Sequence, residues 1–285
     1  MKLRSLLFAP GDSAHKAEKA AASLADGIIL DLEDSVAVAA KGAARAMVAA
    51  LLPTLHRPGV VVRVNPRGTP CYLADLAAIV PGRPAAVMLP KCTGPHDLHA
   101  LDHHLEALEA ASGLPVGSIG VLALVTETAA SLLRMDYTGA PARLLALCFG
   151  AEDLSADLGV SPRDAEGRYA GPVSAARAAT ITAAAAAGVP ALDTPWPDPR
   201  DPAGLAGEAQ RAARDGFAGK LCIHPDQVGP VSAAFTPSAE RAAWARAVVA
   251  GFEARPDAGV FTLDGMMIDR PHLRLAHRIL AALPD

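Results

Sequence analysis

The chain has 285 residues, of which 51% are hydrophobic and 4% aromatic, and its 26 Lys and Arg against 30 Asp and Glu give a formal net charge of -4. This balance leaves no basic stripe and few rings for base stacking, which argues against nucleic acid as a main partner. The apolar runs are too short to span a membrane and the four cysteines have no metal or redox spacing, so we expect a soluble protein of a reducing cytoplasm.

Short apolar runs alternate with Ala-rich segments along the whole chain. We predict eight strands, at residues 3–9, 27–32, 60–64, 85–89, 120–125, 144–149, 191–193 and 220–223. Helix-like segments, several opened by a Ser, Thr or Asp cap, lie between them at residues 13–24, 41–52, 96–111, 128–135 and 174–187. This alternation is typical of α/β proteins and favours a (β/α)8 TIM barrel, with a doubly wound open sheet as the alternative.

The seventh predicted strand is flanked by Pro190 and Pro195, and proline is poorly tolerated inside a strand.

The last part of the chain is expected to differ from the barrel. We expect the barrel to occupy residues 1–230. Residues 231–285 are expected to form a C-terminal extension of helices and a hairpin turn, packed on the barrel or on a neighbouring subunit.

Nearly all polar residues attached to the predicted strands lie at a strand's carboxyl end or just after it. In chain order these residues are Asp12, Asp31, Glu33, Asp34, Arg63, Asn65, Lys91, Glu127, Glu152, Asp153 and His224. In a (β/α)8 barrel the carboxyl ends of the strands converge on one face, where active sites lie. We therefore expect these side chains to line one bowl.

Two predicted strands lead directly into carboxylates. The fifth is followed by Glu127, and the sixth by Glu152 and Asp153. Carboxylates on one rim repel each other unless a hard cation or an arginine joins them, and oxygen ligands suit Mg²⁺. A magnesium site and a set of helix-capping or solvated acids are equal alternatives on this pattern alone.

Arg63 interrupts an otherwise apolar strand. Its planar guanidinium matches a carboxylate, so it is a candidate for binding a substrate acid, the alternative being a structural ion pair with Asp31 or Glu33. A metal would already offset the excess of acids in the bowl, so Arg63 is not needed for that purpose. This favours substrate binding as the role of Arg63. Asp31 and Glu33 are expected either to order metal-bound waters or to pair with Lys91 or Arg63.

Eight runs carry a resemblance to a known family. They are LLFAPG at 6–11, ILDLEDSV at 29–36, VRVNP at 62–66, LPK at 89–91, GAEDL at 150–154, GKLCIHP at 219–225, AFTP at 234–237 and LDGMMIDRP at 263–271. In their order and spacing these runs resemble the citrate lyase β-subunit branch of the HpcH/HpaI aldolase family, over essentially the whole chain.

The resemblance implies a (β/α)8 barrel, dependence on Mg²⁺, and cleavage or formation of a carbon–carbon bond next to a thioester of CoA or an acyl-carrier protein. Carried over residue by residue, Glu127 and Asp153 correspond to the metal ligands and Arg63 to the residue that binds a 2-oxo acid carboxylate. Backbone amides from Ala151 to Asp153, which include that of Glu152, would donate to the same carboxylate.

Asp264 is the candidate for proton transfer. Its segment resembles one that, in thioester-using relatives, reaches the active site of an adjacent subunit and supplies a catalytic Asp, which implies a homotrimer. Apolar neighbours such as Met266 and Met267 would raise the pKa of an enclosed carboxyl. The alternative is that Asp264 only forms a hairpin turn, for which Asp-Gly is a favoured sequence.

The predicted function is a Mg²⁺-dependent lyase that cleaves a short-chain 3-hydroxyacyl thioester into an acyl thioester such as acetyl-CoA and a 2-oxo acid, or runs the condensation. Alternatives are a subunit of a citrate lyase complex, a malate synthase-like enzyme that also hydrolyses the thioester, an aldolase that does not use CoA, and a non-catalytic scaffold barrel. The charged set of Arg63, Glu127 and Asp153 argues against the scaffold, because three charges in one bowl are costly to keep.

Overall fold

The computed structural model describes residues 1–283, and it contains a closed barrel of eight parallel strands. The strands are β1 (Ser5–Pro10), β2 (Gly27–Asp31), β3 (Val60–Arg63), β4 (Ala86–Leu89), β5 (Gly120–Leu124), β6 (Leu144–Cys148), β7 (Ala191–Asp193) and β8 (Gly219–Cys222). Each strand pairs with the next, and β8 pairs with β1, where Ser5 lies opposite Lys220. This closure confirms the (β/α)8 barrel and excludes the open sheet.

Helices connect the strands in the order expected of this fold. They are α1 (Ala14–Ala21), α2 (Lys41–Leu51), α3 (Tyr72–Ile79), α4 (Pro95–Ala111), α5 (Ala129–Leu132), α6 (Glu152–Leu158), α7 (Gly171–Ala186), α8 (Pro202–Asp215), α9 (Pro225–Ala234), α10 (Ala239–Glu253) and α11 (Arg270–Ala281). Two of the expected caps are present, because the Ser13 hydroxyl accepts from the Lys16 amide and the Thr128 hydroxyl from the Ser131 amide. Among the described residues, the helices are all too short or too polar to cross a bilayer.

The barrel interior is filled by alternate residues of the strands, because successive side chains of a strand point to opposite faces. Every strand contributes to this buried apolar cluster, whose members are Leu6, Ile29, Val61, Ala86, Met88, Leu122, Leu124, Ala146, Cys148, Leu192 and Leu221. Two residues beyond Ile29 and Val61, the same alternation places Asp31 and Arg63 at the carboxyl end of the interior. The apolar core therefore ends in charged side chains.

Strand β7 has only three residues, and buried ion pairs attach it to its neighbours. Asp193 accepts hydrogen bonds from Lys220 Nζ of β8 at 2.8 Å and from Arg177 Nε of α7 at 3.1 Å. Lys220 is fully buried and donates a second bond, of 2.6 Å, to Glu208 of α8. Charged hydrogen bonds thus hold a strand that its flanking prolines would otherwise weaken.

The chain divides into two compact units, Met1–Val231 and one that begins at Ser232. The second contains α10, α11 and a hairpin of β9 (Val260–Leu263) and β10 (Met266–Asp269), in which Met266 pairs with Leu263. Asp264 and Gly265 form the turn with φ of 50° and 80°, the left-handed conformation that two-residue hairpins require. Residues from both helices and from β10 fill its core, namely Ala245, Val248, Phe252, Ile268, Ala276 and Ile279.

Candidate active site

A cavity of about 330 Å³ opens at the carboxyl ends of the barrel strands. Six of the residues predicted for the site line it, which are Asp31, Arg63, Glu127, Ala151, Glu152 and Asp153. The remaining wall consists of Phe8, Pro10, Asp34, Ser35, Leu124, Phe149, Gly150, Thr194, Pro195, Leu221 and Ile223. The convergence of strand ends therefore brings most of the predicted residues to one place.

Arg63 and Asp31 form a bidentate ion pair at the base of this cavity. They are register partners on β3 and β2, and both the Nε–Oδ1 and the Nη2–Oδ2 distances are 2.7 Å. Burial alone would raise the pKa of Asp31, but the Arg63 guanidinium holds it below its ordinary value. The structural ion pair that the sequence offered as an alternative is therefore present, on a side chain that also lines the cavity.

Glu33 and Lys91 extend the network without lining the cavity. Glu33 Oε2 lies 3.0 Å from Arg63 Nη1, and Glu33 Oε1 accepts from Lys91 Nζ at 2.5 Å. Burial raises the pKa of Glu33, although the two nearby cations act to lower it. The Glu33 carboxylate raises the pKa of Lys91, although burial of the lysine acts to lower it. Lys91 adopts a left-handed backbone conformation with φ of 51°, which is costly for a residue with a side chain and aims its amide into the site.

Glu127 is the acid without a matching cation. It is 3% exposed, and among the described residues its carboxylate accepts one hydrogen bond, from the Lys91 backbone amide at 2.5 Å. Burial raises the pKa of Glu127 to about 8, and the nearby charges of Glu33 and Asp153 add to this effect. An added positive charge stabilises the ionised form of such a buried carboxyl more than that of an exposed one.

The segment after β6 brings Asp153 towards Glu127. Thr126 Oγ1 accepts from the Gly150 amide at 2.9 Å and donates to the Gly150 carbonyl at 3.0 Å, which fixes the start of the segment. A Cβ atom at Gly150 would lie 2.9 Å from Glu127 Cγ, so a side chain at this position would displace the Glu127 carboxyl. Asp153 Oδ1 lies 3.6 Å from Lys91 Nζ.

Asp264 is placed by the structure in the turn of the β9–β10 hairpin, in the second unit. The residue is exposed, and Met266 and Met267 are 68% and 66% exposed. The enclosed apolar environment expected for its carboxyl is therefore not supplied by its own hairpin. A neighbouring copy of the chain remains the predicted source.

The comparisons with known proteins agree with this architecture. The sequence matches the HpcH/HpaI aldolase/citrate lyase family over residues 4–225. The chain belongs to this family. It is 40% identical over 276 residues to the citrate lyase subunit beta-like protein of Mycobacterium tuberculosis, with 96% of this chain and 93% of the relative covered. It is 34% identical over 284 residues to citrate lyase subunit beta of Escherichia coli strain K12, with 98% and 92% covered.

A solved structure of the family has the same fold along nearly the whole chain. Protein CitE from Mycobacterium tuberculosis, in complex with magnesium, acetoacetate and coenzyme A, is 36% identical with a TM-score of 0.76. The comparison covers 99% of this chain and 98% of that structure. The motif resemblance to the citrate lyase β-subunit branch is thereby confirmed.

The donor set of this HpcH/HpaI family member fits Mg²⁺. Among the described residues, no three or more His, Cys, Asp or Glu side chains are grouped to hold a metal. Mg²⁺ does not need such a cage, because it keeps several waters and binds through one or two carboxylates together with substrate oxygens. Glu127, buried and short of a cation, and Asp153, on the same cavity wall, are the two carboxylates that would hold it.

Sequence reasoning missed the residues that shape this family member's cavity without carrying charge. Phe8 lies under the Arg63 guanidinium, with its ring centre 4.9 Å from Cζ. Thr194 Oγ1 lies 3.4 Å from the Ala151 nitrogen, and Thr126 fixes Gly150. Phe8 lies two residues before the carboxyl end of β1, and Thr126 and Thr194 lie just beyond the ends of β5 and β7. Their positions near strand ends are visible in the sequence, but neither an apolar ring nor a single hydroxyl by itself indicates a functional residue.

Glu127→Gln is expected to alter the pH dependence of stability in metal-free protein. The folded Glu127 carboxyl keeps its proton up to about pH 8, whereas the unfolded chain releases it near the ordinary value of 4.5. The folded state therefore binds more protons between these values, and the free energy of unfolding of the wild type falls as the pH rises through them. The Gln side chain has no proton to lose.

Urea denaturation in EDTA, from about pH 5 to about pH 8, measures this difference. The free energy of unfolding of Glu127→Gln should rise relative to that of the wild type across the series. Glu18→Gln, which changes an exposed helix residue, is the matched control and should follow the wild type. Parallel curves for Glu127→Gln and wild type would contradict the raised pKa.

Proposed function

We propose that this chain is a Mg²⁺-dependent carbon–carbon lyase that cleaves a short-chain 3-hydroxyacyl-CoA into an acyl thioester such as acetyl-CoA and a 2-oxo acid, or runs the reverse condensation. The observation that carries the proposal is the juxtaposition of Glu127, a buried carboxyl without a cationic partner, with Asp153 and Arg63 on one cavity wall. Membership of the HpcH/HpaI aldolase/citrate lyase family supports the same chemistry.

The charged groups around Arg63 and Glu127 have distinct roles in this proposal. Glu127 and Asp153 would hold Mg²⁺, and the bound ion would supply Lewis-acid stabilisation of the alkoxide that is left when the 3-hydroxyl loses its proton to solvent, before the carbon–carbon bond breaks. Asp31 accepts hydrogen bonds from two of the five guanidinium N–H groups of Arg63, and Glu33 Oε2 lies 3.0 Å from Nη1 without a hydrogen bond, which leaves N–H groups for a substrate carboxylate.

Backbone donors complete the binding of the 2-oxo acid carboxylate. The amides of Glu152 and Asp153 belong to the first turn of α6 and have no acceptor inside the helix, so they are free to donate to that carboxylate. The Ala151 amide faces the Thr194 hydroxyl and contributes by fixing the segment. Substrate orientation thus comes from one side chain and from the backbone.

Asp264 supplies the proton that the thioester enolate needs after cleavage, and it acts in the active site of a neighbouring copy. Two observations support this role: the residue is held at the tip of a hairpin turn, and it is exposed within its own unit. The assembly that this implies is a homotrimer, with residues 231–285 as the extension that joins the subunits.

Coenzyme A is the favoured thioester carrier, because the related protein from Mycobacterium tuberculosis was solved with coenzyme A, magnesium and acetoacetate. A role as the β subunit of a citrate lyase complex, with an acyl-carrier protein, is the second candidate, since the chain matches 92% of citrate lyase subunit beta of Escherichia coli. All four cysteines are free thiols, which supports work in the cytoplasm.

Activity on malyl-CoA, citramalyl-CoA or citryl-CoA tests the proposal, with acetyl-CoA release as the readout. Cleavage should require Mg²⁺ and stop in EDTA. Asp153→Asn removes half of the proposed carboxylate pair, and we expect kcat/KM to fall by about 100-fold or more.

Asp226→Asn is the matched control for this assay. Asp226 follows β8 on the same face of the barrel, is 83% exposed and does not line the cavity. Its substitution should change kcat/KM by less than about twofold. Full activity in EDTA, or in Asp153→Asn with the control unchanged, would contradict the metal role.

Subunit complementation tests the role of Asp264. Asp264→Ala and Arg63→Ala should each be inactive alone, because every site then lacks one proposed residue. Co-expressed and co-purified, the two variants should recover part of the wild-type activity in sites that combine intact Arg63 from one copy with intact Asp264 from another. No recovery in a verified mixed oligomer would contradict action across subunits.

A further inference from the structure

One arginine lies behind the part of the cavity wall that follows β6 and β7. Arg163 belongs to the loop between α6 and α7, and its side chain is 10% exposed although it does not line the cavity. The loop folds back on itself, because the Asp164 amide donates to the Arg168 carbonyl at 2.9 Å. This return places Arg163 beside Tyr169, with which it forms an antiparallel β-bridge.

The Arg163 guanidinium is stacked against two aromatic rings. Its Cζ atom lies 4.3 Å from the ring centre of Tyr169 and 5.0 Å from that of Trp196. The Tyr169 ring packs edge to face on Phe149, which lines the cavity just after β6, with the ring centres 5.8 Å apart. Trp196 directly follows the two wall residues that come after β7. Arg163 therefore reaches both wall segments, through one ring each.

Buried ion pairs hold Arg163 in this place. Nη2 donates to the Glu208 carboxylate at 2.9 Å and to the Tyr169 hydroxyl at 2.6 Å. Glu208 is buried and also accepts from Lys220 of β8, which donates in turn to Asp193 of β7. Hydrogen bonds between charged groups are strong and directional, so this chain of contacts fixes the guanidinium relative to the barrel strands.

The wall segment after β6 is held at two points close to the cavity. Thr194 Oγ1 lies 3.4 Å from the Ala151 nitrogen, and Glu152 Oε1 lies 3.7 Å from Arg163 Nη1. The Glu152 side chain is 58% exposed, so this ion pair is weak by itself. The packing of Arg163 against the rings behind the wall is therefore the main contact through which it can orient the first turn of α6.

We infer that Arg163 is a positioning residue of the active site. By holding the segments after β6 and β7 in place, it sets the direction in which the amides of Glu152 and Asp153 point into the cavity, without touching the substrate. The inference rests on the proposed function, because it assumes that these amides bind the 2-oxo acid carboxylate. The planar group is essential: a lysine ammonium can pair with Glu208 but has no flat face to lie on the two rings.

Arg163→Lys tests the inference, because it keeps the positive charge beside Glu208 and removes the planar group. Calorimetric titration of the full-length protein at saturating Mg²⁺ with pyruvate, oxaloacetate and glyoxylate first identifies the acid that the wild type binds most tightly. We expect Arg163→Lys to bind that acid about tenfold more weakly. The amides hold the carboxylate in the substrate and in the transition state alike, so KM for the cleaved acyl-CoA should rise while kcat changes by less than about twofold.

Arg143→Lys is the matched control. The Arg143 side chain is 4% exposed and donates to Glu109 at 3.1 Å and to the Ile119 carbonyl at 2.8 Å. It precedes β6, at the amino-terminal end of the barrel, opposite the cavity. Its substitution should lower the free energy of unfolding in urea without changing the affinity for the acid. An equal loss of affinity in the two variants would show that stability and not position decides, and would overturn the inference.

A double variant tests whether Arg163 acts through Trp196. Trp196→Leu removes one of the two rings and should itself weaken binding of the acid. If the residues act through one contact, the double variant Arg163→Lys with Trp196→Leu should bind about as weakly as the weaker single variant. Losses that multiply in the double variant would contradict the shared contact.

The outcomes separate this inference from the proposed function. Wild-type affinity and KM in Arg163→Lys would overturn the positioning role and leave the lyase intact. An absence of Mg²⁺-dependent binding of all three acids to the wild type would overturn the proposed function, and the inference with it. Weaker binding in Arg163→Lys, with Arg143→Lys unchanged, supports both.

Discussion

The ion pair between Arg63 and Asp31 is the interaction on which the candidate site depends. The alternation that fills the barrel with apolar side chains also points these two residues inward, as register partners at the end of adjacent strands. A charge at the end of a buried apolar stack is tolerated only when it is paired and hydrogen-bonded, and the bidentate geometry meets both conditions. Arg63 is thereby fixed, with part of its guanidinium facing the cavity.

The same network leaves Glu127 without a cationic partner. Arg63 and Lys91 are both engaged by Glu33, and the Lys91 backbone bends into the left-handed region to donate its amide to Glu127. No described side chain offers Glu127 a positive charge of its own by hydrogen bonding. Burial raises the pKa of Glu127 and the charges of Glu33 and Asp153 add to this effect, so a further cation would favour its ionised form. A deficit of protein cations, and not a cage of ligands, is what fits the cavity to Mg²⁺.

Much of this could be predicted from the sequence, because it depends on local pattern. The eight predicted strands lie within two residues of the observed ones, and the strand-end position of Glu127 and Asp153 is visible in the chain itself. The rest depends on which strand ends become neighbours. The double engagement of Arg63, the packing of Phe8 under it and the exposure of Asp264 are properties of three-dimensional contacts, so sequence reasoning had to leave alternatives open.

The most direct test of the account is a crystal structure with Mn²⁺ in place of Mg²⁺ and with pyruvate, in which anomalous scattering locates the metal. The account predicts one strong peak at the cavity, ligated by the carboxylates of Glu127 and Asp153, with the pyruvate carboxylate on the free N–H groups of Arg63. A metal bound elsewhere, or in the cavity with the Glu127 carboxyl outside its coordination sphere, would contradict the claim that the metal site is built on the buried Glu127 carboxyl, which lacks a cationic partner.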